Sequence, residues 1–217
     1  MKIQKVVHLT KQKIKKILAA LDAEYGAIPC YLNYETDWQL LVATILSAQC
    51  TDDRVNMITK DLFRKYKTLE DVAAADITEF EQDIHSAGFY HNKAKNIIAC
   101  ANQLIADFDG KVPSDIDELT SLAGVGRKTA NVIRGNIFKI PSVVVDTHVK
   151  RVAYLLGVTD TKDPVKAEME LMKKIPEDHW ILINTQLIAH GRKVCISGRP
   201  RCGQCVLSDF CERKAEK

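Results

Sequence analysis

The chain has 217 residues, 46% of them hydrophobic and 27% charged, with a formal net charge of +3. This is the composition of a globular chain long enough for one large or two small domains, and it excludes a disordered or low-complexity protein. No apolar run approaches the roughly 18 residues of a membrane span, and so weak a net charge leaves any nucleic-acid footprint to local clusters of basic residues.

Almost every segment has helical periodicity, so an all-α fold is expected. Thr10 can cap a helix whose apolar face is Ile14, Ile17, Leu18 and Leu21, stopped at Gly26. Lys11, Lys13, Lys15 and Lys16 around its start read as a solvated face. A basic start followed by an amphipathic helix, rather than by a signal core, points to an intracellular protein.

Asp37 opens a second helix that is apolar over much of its circumference, as the central helix of a domain is. It ends in the polar break Ser47-Ala48-Gln49-Cys50-Thr51-Asp52. A third helix, from about Asp53, carries Val55, Ile58 and Leu62 on one face. Thr68-x-x-Asp71 reads as a capping box that starts a short helix, and another spans roughly 77–86. Gly88-Phe89-Tyr90-His91-Asn92 reads as a loop before a long amphipathic helix over 93–108, which Asp109-Gly110 stops. Ser114-x-x-Asp117 reads as a second capping box, leading a helix into Gly124-Val125-Gly126.

That glycine pair reads as a tight turn, because glycine reaches φ > 0 without a Cβ clash. It delivers a helix from Arg127 to about Phe138. The first N–H groups of a helix lack internal partners and lie at the positive end of its dipole, so Gly124 and Gly126 let a phosphate approach closely. Lys128 lies in the first turn beside Arg127. Neighbouring positive charge and partial burial favour a neutral amine, which can form a Schiff base, although the residue also suits a phosphate contact or a solvated charge.

Val143-Val144-Val145 is the one strand-like stretch. Asp146 follows it and can cap a helix over 147–156, closed by Gly157; a carboxylate there can also stabilise a cation forming on a sugar. Asp163-Pro164 is a helix start, with Val165, Met169 and Met172 as the apolar face. The last long helix is expected over 179–189, closed by Gly191.

Seven cysteines in an intracellular chain argue against a disulfide scaffold. Cys30, Cys50 and Cys100 lie in apolar surroundings and read as buried small hydrophobes. The other four, Cys195, Cys202, Cys205 and Cys211, follow C-x6-C-x2-C-x5-C. Four thiolates so close in sequence suit zinc or a [4Fe–4S] cluster. Zinc ribbons bring together two C-x2-C knuckles; the single compact loop here leans towards iron–sulfur. Arg192, Lys193, Arg199, Arg201 and Arg213 surround the loop, and holding it rigid would present them to a phosphate backbone.

LAGVGRKTANV (122–132) followed by VVVDTHVKRV (143–152) resembles the helix–hairpin–helix and catalytic aspartate loop of the endonuclease III family, DNA glycosylase/lyases of the helix–hairpin–helix superfamily. Further matches are LSAQCTD (46–52), GFYHNKAKNI (88–97), HGRKVC (190–195) and the cysteine spacing. The family has proline where Ala123 stands, and leucine is common where Phe89 stands. The resemblance implies two helical domains flanking a DNA-binding cleft, one over 31–140 and the other joining 1–30 to 141–217. It implies a [4Fe–4S] cluster on the four cysteines, Lys128 as nucleophile and Asp146 as catalytic carboxylate. Gly124, Gly126, Arg127 and Lys193 become phosphate contacts. Gln49 would fill the gap left by an extruded nucleotide, with Phe89 as a wedge beside it; read alone, Gln49 is a polar helix terminus and Phe89 a core aromatic.

The activity implied is removal of oxidised pyrimidines from duplex DNA and nicking of the resulting abasic site, by a monomer working with the DNA of a prokaryotic cell. A monofunctional mismatch glycosylase, acting on adenine or on thymine or uracil opposite guanine, is the nearest alternative. The adenine-specific family lacks lysine at position 128 and carries an extra C-terminal domain. A non-catalytic DNA binder is the alternative from another class.

Overall fold

The structure, a computed structural model, describes residues 10–212, and among these it is helical with no strand. The chain folds as two compact units: one is Cys30–Ile140, and the other joins the chain before Cys30 to the chain after Ile140.

Helix α1 (Lys11–Tyr25) belongs to the second of these units. The Thr10 hydroxyl accepts the Lys13 N–H at its start, and Ile14, Ile17, Leu18 and Leu21 form the buried face. The lysines at this end are not all solvated, since Lys13 pairs with Glu212.

The continuous unit holds α2 to α8. In α2 (Asp37–Leu46) every residue from Trp38 to Leu46 is buried, and Thr36 with Gln39 completes a capping box. Helix α3 (Asp52–Lys65) has Asp52 and Asp53 in its first turn and Arg64 and Lys65 in its last, which matches the helix dipole at both ends. Helix α4 (Leu69–Ala73) is closed by the Thr68/Asp71 box and packs on α6. After α5 (Ile77–Asp83) the chain makes a 3-10 turn, His85–Ala87. Helix α6 (Tyr90–Phe108) begins three residues before the sequence signal, because Phe89 in a left-handed conformation serves as its N-cap. Helix α7 (Ile116–Ser121) is capped by Asp115 and not Ser114: the Asp115 carboxylate accepts the N–H groups of both Asp117 and Glu118. Helix α8 (Arg127–Asn136) packs on α2 with Ala130 and Ile133 buried.

The other unit continues with α9 (Thr147–Leu156), α10 (Pro164–Lys174) and α11 (Trp180–Lys193). The segment Val143–Val145 is extended but pairs with no strand. The Asn184 side chain does the work of a ladder partner, accepting the Val144 N–H and donating to the Ser142 carbonyl. Of the face expected for α10, Met172 packs against the core but Val165 and Met169 do not. Ala167, Glu168 and Leu171 are buried, whereas Val165 and Met169 are 50% and 43% exposed. Gly191 does not end α11, which runs two residues further. A Cβ there would lie 2.9 Å from the His148 Cβ, so glycine is needed for the approach of α9 to α11.

Between α7 and α8 the two glycines differ. Gly124 has φ +75°, and a Cβ would meet the Asn96 Cβ at 2.8 Å. Gly126 is extended (φ −94°, ψ 173°) with open space where its Cβ would be, so it is not there to reach a positive φ. Gly124→Ala is therefore expected to cost about 1–3 kcal/mol in urea unfolding through strain and overlap. Gly126→Ala is expected to cost less than about 1 kcal/mol.

Two side chains tie α1 to the start of α11. His179 Nε2 lies 3.1 Å from Asp22 Oδ2, and the Gln186 amide donates to Asp22 Oδ1 at 2.9 Å. Asp178, and then Asp22, raise the pKa of His179 above its ordinary 6.5. The Gln186 amide, and then His179, hold Asp22 below 3.8. The His179 contribution is complete below 6.5 and fades as pH rises through its raised value; the Asp22 contribution is complete above 3.8 and fades as pH falls through its depressed one. The pair is thus strongest between those pH values. The stability gap between wild type and Asp22→Asn, from urea midpoints, is expected to be wider at pH 5.5 than at pH 8.5.

Candidate active site

The N-cap residue of α8 is Gly126, so the helix start has no side-chain cap from that residue. Val125 beneath it is buried and fixes the turn. Arg127 and Lys128 follow in that first turn, and Lys128 is exposed rather than partly buried. A bare positive helix end with two cations beside it is a site for a phosphate or another anion.

Two further segments of this unit carry residues singled out in the sequence. Gln49, just past the end of α2, is exposed and has φ +54°. Phe89 has φ +50° and is 64% exposed, so it is no core aromatic. Both are non-glycine residues in the left-handed region, a conformation that favours glycine and clusters at functional sites. Lys93, which the sequence did not single out, is buried between these segments. Its Nζ donates to the Leu46 carbonyl at 2.8 Å and to the Ala87 carbonyl at 3.0 Å. The one signal for it was its place on the apolar face of α6, one turn before Ile97.

In the other unit Asp146 caps α9: its Oδ1 accepts the Val149 N–H at 2.7 Å. The carboxylate is half-buried. A carboxylate offers more acceptor positions than one cap uses, so capping and electrostatic work are compatible. His148 follows it, its pKa lowered by burial and raised in part by the nearby Asp146 charge.

The cysteine loop packs on the same helix. Arg151 Nη2 donates to the Cys195 carbonyl at 2.6 Å and to the Gly191 carbonyl at 3.1 Å, and the Glu212 N–H donates to the Leu155 carbonyl. Cys195, Cys202, Cys205 and Cys211 line one small cavity of about 40 Å³, walled otherwise by Leu155, Val194, Pro200, Arg201 and Ser208. Among the described residues no group of three or more His, Cys, Asp or Glu is disposed around a single metal ion. Burial raises the pKa of the Cys195 and Cys205 thiols, which Arg151 opposes at Cys195. His190 is buried, with a pKa held down to about 4, and is therefore neutral near pH 7. Its Nδ1 lies 2.9 Å from the Tyr25 hydroxyl and its Nε2 3.4 Å from Cys205 Sγ. In one tautomer it accepts from the tyrosine and donates to the sulfur. Four cysteines lining one cavity, a largely apolar wall and a ring nitrogen within reach of sulfur are, as a donor set, of the chemistry that an iron–sulfur cluster takes. Lys193, Arg199 and Arg201 are exposed around the loop, as is Arg192 on the last turn of α11; Arg213 lies outside the described residues. Of the other cysteines, Cys100 is buried and pushed up to about 12, while Cys30 and Cys50 are half-buried.

Residues 42–177 match the model of the HhH-GPD superfamily base excision DNA repair proteins. Over 202 residues the chain is 48% identical to the endonuclease III of Synechocystis sp., covering 93% of this chain and 92% of that protein. The endonuclease III of Bacillus subtilis is 45% identical over 208 residues, covering 94% of each. Among solved structures, a trapped endonuclease III–DNA covalent intermediate superposes with a TM-score of 0.90 at 43% identity, covering 94% of this chain and 97% of that one. A thermostable thymine-DNA glycosylase shares the fold, with a TM-score of 0.80 at 22% identity. The chain belongs to the endonuclease III family, within the HhH-GPD superfamily of base excision DNA repair proteins.

Proposed function

We propose that the chain acts in base excision repair as a DNA glycosylase with abasic-site lyase activity, with Lys128 as its nucleophile. The observation that carries this reading is a lysine exposed in the first turn of a helix whose N-cap is a bare glycine. Phosphates of a damaged duplex bind at the Gly124–Gly126 turn and the N-terminus of α8 that follows it, with Arg127 beside them and Lys193 by the cysteine loop. The damaged nucleotide leaves the stack, because its glycosidic carbon cannot be reached inside a duplex. Gln49 fills the gap and Phe89 wedges between neighbouring bases.

The Lys128 amine then attacks C1′. The C1′–N bond breaks, its electron pair leaves with the base, and a proton passes to the departing base. Asp146 stabilises the positive charge that grows on the sugar and takes a proton from the attacking nitrogen. The sugar ring opens to a Schiff base. Loss of a C2′ proton moves that electron pair into a new double bond, expels the 3′ phosphate and nicks the strand. Water hydrolyses the imine and frees Lys128. An exposed amine suits this order of events, since it must reach a sugar that arrives from solution.

The substrate class proposed is duplex DNA with an oxidised pyrimidine or an abasic site, acted on by a monomer inside the cell. No helix among the described residues is long and apolar enough to cross a membrane. The four cysteines would hold a [4Fe–4S] cluster that, when bound, rigidifies the loop and orients Lys193, Arg199 and Arg201 towards phosphate. It takes no part in the bond-breaking steps. Purified protein is expected to carry roughly four iron atoms per chain and no stoichiometric zinc; about one zinc per chain and no iron would assign the loop to zinc.

Lys128→Gln is expected to abolish borohydride trapping of a protein–DNA adduct while still shifting an abasic-site duplex in a gel. A variant that traps at the wild-type rate would move the nucleophile to another amine. Gly126→Ala, which spares stability, is expected to weaken duplex binding several-fold by crowding the phosphate against its new Cβ.

A further inference from the structure

Lys93 is 5% exposed, on the inward face of α6 beside Ala94 and Ile97. Its two acceptors are the carbonyl of Leu46, which ends α2, and the carbonyl of Ala87, which ends the 3-10 turn. Carbonyls at the ends of helical segments lack internal partners, so Lys93 supplies one donor to each of two separate termini. Burying a cation is costly, and an apolar residue of similar volume is often as good for stability. Stability is therefore a weak reason for this residue to be lysine.

Position is a better one. Leu46 lies three residues before Gln49, and Ala87 two before Phe89. Short hydrogen-bonded turns connect each anchor to its tip: the Cys50 N–H donates to the Ser47 carbonyl, the Gly88 N–H to His85, and the Lys93 N–H to Phe89 itself. Gln49 and Phe89 are both exposed, and both hold left-handed conformations that persist only where the surroundings fix them. One side chain thus ties two strained tips to a common point.

We infer that Lys93 is a positioning residue that sets the spacing of the Gln49 and Phe89 loops, so that both side chains enter an opened duplex together. This rests on those loops being the ones that enter DNA. Burial lowers the pKa of the Lys93 amine. The bridge does not depend on charge, because its acceptors are neutral carbonyls and a neutral amine still has two N–H groups.

The test is a double-mutant cycle read on two substrates. Lys93→Met keeps an unbranched chain and removes the donors. Single-turnover borohydride trapping is measured on an abasic site in a duplex, which must be opened, and in a single strand, which need not be. Lys93→Met is expected to lower duplex trapping at least tenfold and to leave single-strand trapping within twofold of wild type. In a Gln49→Ala/Phe89→Ala background the same substitution is expected to change duplex trapping less than twofold, because coupled residues are not additive. Lys93→Arg, which keeps a cationic donor, is expected to recover much of the loss.

An equal loss on both substrates, no loss on the duplex, or a loss undiminished in the loop background would each overturn the inference. If Gln49→Ala/Phe89→Ala traps the duplex like wild type, the loops do not enter DNA, and the inference falls with that reading. If wild type traps neither substrate, it is the Schiff-base assignment that fails. Should Lys93→Met not fold, as judged by its melting curve, Lys93→Gln goes through the same comparisons.

Discussion

A helix cannot satisfy its own ends, and the candidate site residues of this chain stand where that shortfall occurs. Gly126 begins α8 and contributes no cap. Asp146 begins α9 and is the cap. Phe89 begins α6, and Gln49 follows the end of α2. The buried lysine of α6 meets the need at two further termini. The architecture around these ends is apolar packing, with α2 enclosed on nearly all sides in one unit and α1 laid against α11 in the other. The packing holds the helices still; what each terminus lacks determines which ligand or side chain it attracts.

The contrast between the two helix starts is instructive. At Asp146 a carboxylate brings negative charge to the N–H groups of α9 and occupies one of them. At Gly126 the N-cap residue has no side chain to offer, and Arg127 and Lys128 follow. The same backbone shortfall is met by the N-cap side chain in one place and not in the other.

Much of this was legible in the sequence because caps and turns are local. Thr10, Thr68 with Asp71, Asp146 and Asp163-Pro164 all cap as their spacing implied. What was not legible depended on a choice between adjacent caps or on neighbours distant in the chain. Asp115 displaces Ser114 as a cap because its carboxylate reaches two N–H groups. The valine run reads as a strand by composition, yet its polar groups are met by Asn184, some 40 residues away. The inward face of α10 follows from Ala167 and Leu171 meeting a core that the helix itself does not encode. Lys93 was hidden by its type, since lysine is assigned to the surface unless its partners are known.

Gly191 lies on α11, far along the chain from Asp146, with the His148 side chain seated where its own Cβ would be. His148 is two residues beyond the aspartate on α9. Any larger residue at 191 has to push that imidazole, or α9 as a whole, away from α11. The carboxylate at the head of α9 would be carried along, and Arg151, which reaches back to the Gly191 and Cys195 carbonyls, would lose its grip on the cysteine loop. A hydrogen atom in place of a side chain thus lets α9, with Asp146 at its head, lie close against α11, and a methyl group added there would shift that helix while leaving every side chain on it in place.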